Sequence, residues 1–99
     1  MCDKIDRLTL EFHGAINRLK EKKTLQPSEI NKNELLNICE LIEELEEECD
    51  HILGFPIAKV DRLVHPTWAV NLSELWKDAN SLYIEVMYYA IYGQSDQNQ

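Results

Sequence analysis

Glycine and proline are scarce in this 99-residue chain, three of each, which leaves too few breaks for a turn-rich β fold. No apolar run approaches the roughly 20 residues of a membrane span, and the start, Met1–Asp6, lacks a secretory-signal pattern. These absences lead us to expect a soluble, cytoplasmic protein with no membrane partner. The three cysteines, Cys2, Cys39 and Cys49, are odd in number and have neither Cys-x-x-Cys nor zinc-ligand spacing, so reduced, mostly buried thiols are expected. There is no glycine-rich phosphate loop and no serine in a nucleophile elbow. On one helix, Cys49 and His51 would sit about 160° apart, a poor arrangement for a nucleophile and its base. No catalytic residue is assigned.

Basic residues are also in short supply, and unevenly so. Residues 1–23 hold six basic and four acidic groups, whereas residues 24–55 hold one basic group, Lys32, against nine acidic ones. Residues 56–99 hold three basic and five acidic groups, which completes the net charge of −8. An acidic middle repels phosphate backbones and anionic lipid, so direct nucleic-acid binding is not expected. Metal ions, basic protein surfaces and nucleic-acid-binding proteins are the natural partners.

Helical periodicity organises most of the chain. Ile5, Leu8, Phe12, Ala15 and Leu19 recur every three or four residues and predict a helix over 2–22, with Lys20, Lys22 and Lys23 suited to its C-terminal end. Asn31 and Glu34 have capping-box spacing before a second helix, 32–53, whose seam is Leu35, Ile38, Ile42, Leu45, Cys49 and Ile52. Gly54 and Pro56 end it. Asn71 and Glu74 repeat the capping-box spacing and open a third helix, 71–92, while Ile57, Val60, Leu63 and Val64 suggest a short helix within 56–64. The fold expected is all-α: one domain over 1–93, a three- to four-helix bundle built on an antiparallel helical hairpin, with a frayed tail over 94–99.

The stretch "ELIEELEEECDH", residues 40–51, carries six glutamates. On a helical projection Glu40, Glu44, Glu47, Glu48 and His51 share about 100° of one flank, and Glu74, Asp78 and Glu85 share about 40° on the third helix. Two such flanks facing across a groove would offer Mg²⁺ the hard oxygen ligands it prefers. "EELEE", Glu43 to Glu47, resembles the Glu-Glu-x-x-Glu motif of MazG-like all-α nucleotide pyrophosphohydrolases, and "SLYIEVMYYAIYG" is similar to the apolar end of that family's last core helix. The resemblance spans roughly residues 34–93. It implies a Mg²⁺-dependent nucleoside triphosphate pyrophosphohydrolase, or an inactive nucleotide-binding relative. It carries over Glu43, Glu44 and Glu47 by motif. Glu74 and Asp78 are geometric substitutes, because the second motif is Glu-x-x-Asp and this chain has Glu74-x-x-x-Asp78. The metal set expected on that reading is Glu44, Glu47, Glu74 and Asp78. Glu48-x-x-His51 matches the spacing of di-iron carboxylate bundles, but the required second pair is missing.

The third helix is apolar or aromatic on nearly every side, with Tyr88 and Tyr92 falling outside its core stripe. Three helices from so short a chain cover only part of it, which predicts a homo-oligomer or a partner. The leading expectation is therefore a non-catalytic, acidic interaction module: an adaptor, inhibitor or immunity-type protein, of a kind phages also make. It would bind a basic protein surface, such as that of a nucleic-acid-binding enzyme, through Glu40, Glu44, Glu47 and Glu48, with Tyr88 and Tyr92 as anchors and no cofactor.

Overall fold

The computed structural model describes the backbone of residues 3–97 and the side chains of residues 3–92. The described residues form three long helices, α1 (Asp3–Lys23), α2 (Lys32–Leu53) and α3 (Thr67–Gln97), with 3-10 turns at Pro27–Glu29 and Ile57–Lys59 and no strand. No helix among them is long and apolar enough to cross a membrane. Cys2 and residues 98–99 lie outside the described residues.

The core follows the stripes predicted for α1 and α2. Leu8, Phe12, Ile16 and Leu19 of α1 meet Leu35, Ile38, Ile42, Leu45 and Cys49 of α2 and Leu72, Ala79, Val86 and Ala90 of α3. Small residues recur on the buried side of α3, at Ala69, Ala79 and Ala90, and let the neighbouring helices approach closely. Contacts fix the directions. Lys22, at the end of α1, pairs with Glu34 at the start of α2 at 2.6 Å. Lys23 reaches Glu85 at 2.9 Å, while Ile16 and Lys20 line a recess with Asp78 and Leu82, so α1 runs in the same sense as α3. Trp76 meets Glu46, and α2 therefore runs opposite to both.

Local chemistry sets the ends of α2. The Asn31 side chain accepts the Asn33 amide at 2.9 Å and caps the start. Its expected capping-box partner, Glu34, turns to Lys22 instead. At the other end Gly54 takes a left-handed conformation, φ 81, and its amide bonds the Asp50 carbonyl at 2.8 Å. The Asp50 carboxylate then accepts the Ile57 amide at 2.7 Å and holds the 3-10 turn against the helix end.

Three expectations need correction. First, α3 begins at Thr67 rather than 71, because the Pro66 carbonyl receives the Ala69 and Val70 amides; Asn71 and Glu74 are interior, and Glu74 pairs with Arg62. Second, α3 runs through Gly93 to Gln97, where a frayed tail was expected from 94: glycine weakens a helix by about 1 kcal/mol without ending it. Third, the 56–64 segment is only a 3-10 turn followed by an Asp61-centred turn. Asp61 accepts the Leu63 amide at 2.8 Å, its own amide goes to His65 Nδ1 at 2.8 Å, and Leu63 projects 92% exposed.

Candidate functional site

The acidic face of α2

The seam residues of α2 point inward, so the intervening positions must look elsewhere. On one side of the seam the helix meets α3. Glu46 accepts the Trp76 indole N–H at 3.0 Å, and Cys39 hydrogen-bonds Tyr83. On the other side Leu41 lies beside Gly14, Ala15 and Arg18 of α1. Glu40, Glu44, Glu47, Glu48 and His51 lie beyond this α1-facing edge. All five are exposed, and Glu44, Glu47, Glu48 and His51 line one open recess of about 490 Å³.

The ion pairs among the described residues are Lys22–Glu34, Lys23–Glu85 and Arg62–Glu74. None includes Glu40, Glu44, Glu47 or Glu48. Four carboxylates one turn apart therefore share a flank with no fixed cation, a repulsive arrangement of a few tenths of a kcal/mol per pair. Glu43 differs, because the Cys39 thiol donates to it at 3.8 Å.

The acidic side of α3 and the missing groove

Glu74, Asp78 and Glu85 lie on the side of α3 turned toward α1 and the connecting turn, with Glu74 held by Arg62 and Glu85 by Lys23. The two acidic flanks do not face each other across a groove. α2 and α3 join through Glu46–Trp76 and Cys39–Tyr83, and α1 occupies the opposite edge of each helix. Glu44 and Glu47 are thus on one side of α1, and Glu74 and Asp78 are on the other. No three His, Cys, Asp or Glu side chains among the described residues are gathered closely enough to hold a metal ion. The reason was visible only in three dimensions: the first helix, not the third, borders the glutamate-rich flank.

Tyr88 and Tyr92 stack on each other, ring centroids 4.7 Å apart, on the outer surface of α3. Tyr88 projects roughly 120–140° away from Trp76 and Tyr83, which meet α2. The tyrosine pair and the α2 glutamates consequently form two separate surfaces.

Two buried or half-buried groups feel the surrounding acidity. Burial pushes the Cys49 thiol from 9.0 up to about 12, with Asp50, Glu48 and Glu46 adding to the rise. Tyr83 rises from 10.0 to about 12, through burial first, then its hydrogen bond with Cys39. Both groups stay protonated at neutral pH, and Cys49 is unsuited to nucleophilic chemistry. Sequence reasoning missed the Leu63–Val64 tip because its apolar pattern suggested a helix; the signal against it was Asp61, whose carboxylate takes the amide of Leu63 two residues on.

No protein-family model, curated protein or solved structure matches the chain.

Proposed function

We propose that this protein is a small acidic interaction module that binds a basic protein surface, as an adaptor, inhibitor or immunity-type protein acting inside the cell. One observation carries the reading: Glu40, Glu44, Glu47 and Glu48 form a solvent-facing ridge on α2 that no cation among the described residues pairs with, while the acids of α3 have cationic neighbours. A rigid helix holding like charges together is stabilised by any Lys- or Arg-rich surface laid against it, and long-range attraction speeds the encounter. A nucleic-acid-binding enzyme presents such a surface. Self-association belongs to the same proposal, because the aromatic end of α3 remains uncovered.

Binding to a Lys/Arg-rich peptide, followed by fluorescence anisotropy, tests the reading. Replacing Glu44, Glu47 and Glu48 by Gln is expected to weaken binding about tenfold or more, well beyond the loss from replacing Glu74, Asp78 and Glu85, which removes the same formal charge. Equal losses from the two triple variants would mean that net charge alone matters and would overturn the proposed site. A Mg²⁺-dependent rise in melting temperature, abolished by Glu47→Gln and accompanied by pyrophosphate release from nucleoside triphosphates, would instead favour the pyrophosphohydrolase reading.

A further inference from the structure

The outer surface of α3 carries a stripe of exposed apolar side chains: Ile84 and Tyr88 at 65% exposure each, Tyr92 at 53% and Ile91 at 47%. Their spacing, 84–88–91, is the four-then-three step that lets one helix seat its side chains between those of another. We infer that this stripe is the seat of a second copy of the chain, with the two α3 helices pairing side by side in opposite directions. The inference rests on the self-association part of the reading above and names the surface that performs it.

Two observations support a second copy as the occupant, and a third sets the direction of pairing. The first is area. Side chains of this size, each about half exposed, present on the order of 500 Å² per chain, so a symmetric pair removes about 1,000 Å² from water, the lower bound for a specific interface. The second is the shape of the stripe. It is one face of a helix, about 100° wide, and a helix with the same spacing matches it; α3 is such a helix.

Charge is the third observation, and it selects the direction. Each chain carries a net charge of −8. The stripe lies toward the C-terminal end of α3, so an antiparallel pair places the two acidic bodies at opposite ends, whereas a parallel pair sets them side by side. The nearest carboxylate on the stripe's border, Glu85, is already paired with Lys23 and adds little repulsion. The resulting dimer displays two α2 glutamate ridges, both away from the interface, and is bivalent for a basic surface.

Sedimentation of the full chain over about a hundredfold range of concentration tests the pairing, with no basic partner present, so that its outcome is independent of the glutamate ridge. The expected mass is twice the 11.6 kDa of one chain. Tyr88→Glu is expected to weaken self-association roughly thirtyfold or more. The same substitution should leave the helix content by circular dichroism unchanged, because the side chain is exposed, while the melting temperature falls toward that of the single chain. Leu10→Glu and Leu63→Glu, at exposed apolar positions elsewhere, should leave the mass as it was. A single-chain mass throughout, or a dimer that Tyr88→Glu and Ile91→Glu both leave intact, overturns the proposal. Small-angle scattering decides direction. Two bodies each 51 Å long, overlapping over about 27 Å of helix about a centre at Tyr88, give a particle about 75 Å long. A dimer no longer than one chain overturns the antiparallel arrangement.

Discussion

The acidic margins of α2 and α3 have similar side chains and opposite electrical surroundings. On α3, Glu85 meets Lys23, Asp78 shares a recess with Lys20, and Glu74 holds Arg62. On α2, Glu40, Glu44, Glu47 and Glu48 are exposed and take part in none of the ion pairs among the described residues. The difference originates in α1. Its last turn gathers Lys20, Lys22 and Lys23 at the negative end of the helix dipole, and the bundle lays that turn beside Glu34 and the acids of α3. The last-turn cations of α1 thus serve the helix end and face Glu34, Asp78 and Glu85 at once, and none of the three pairs with the α2 ridge. An acidic run in a sequence is therefore informative only once the positions of the fixed cations are known.

The largest expected effect concerns a buried group on the seam of α2, beside the ridge. Cys49 is fully buried, and its raised value owes most to burial, with Asp50, Glu48 and Glu46 contributing. Tyr83, on the far side of the seam, is raised as well. Both groups have folded-state values above their unfolded ones, so their contribution to stability is complete below about pH 9 and is lost as pH rises toward 12. Melting temperature should fall steadily across that window, with Cys49 alone worth up to a few kcal/mol. Cys49→Ala should flatten the decline, although it lowers stability at neutral pH by leaving a small cavity. A melting temperature independent of pH between 9 and 12 would show that the thiol does not feel its surroundings in this way.

Reversing the cations of α1 should have the next largest effect. Lys22→Glu with Lys23→Glu places like charges against Glu34 and Glu85 and at the wrong end of the helix dipole. A loss of about 1–3 kcal/mol is expected, larger than a surface pair alone would give because both contacts change from attraction to repulsion. Urea unfolding measures it, and high salt should restore part of the loss.

Much of the fold was legible in one dimension because the apolar periods are long and regular. The seam from Leu35 to Ile52 identifies α2, and Gly54 marks its end by a left-handed turn that few other residues adopt. Asn31 was correctly marked as a cap, while Glu34 was not its partner, since a lysine 12 residues upstream competes for it more strongly. The start of α3 was misplaced because Asn71 and Glu74 look like a cap, whereas Pro66 already opens the helix. The candidate site was legible only as a flank of α2. Which helix borders that flank depends on how three helices are arranged in space, and periodicity is silent on arrangement: the seam of α2 says what points inward and nothing about what lies to its left or right.

The smallest effect is also the sharpest test of the comparison, because the two margins should respond with opposite sign to the same chemical change. Glu44→Gln removes the repulsion of Glu44 with both Glu40 and Glu48, one turn away on either side, and should raise stability by a few tenths of a kcal/mol. Glu85→Gln removes the partner of Lys23 and should lower stability by a similar amount. Adding salt should shrink both changes together, since screening weakens repulsion and attraction alike. Thermal melts of the two variants at low and high ionic strength measure the four values. If both substitutions stabilise, the Lys23–Glu85 contact contributes nothing net and net charge alone governs the protein. If both destabilise, Glu44 has a stabilising neighbour within its own chain, and the ridge is not the unsatisfied surface from which a basic partner would gain.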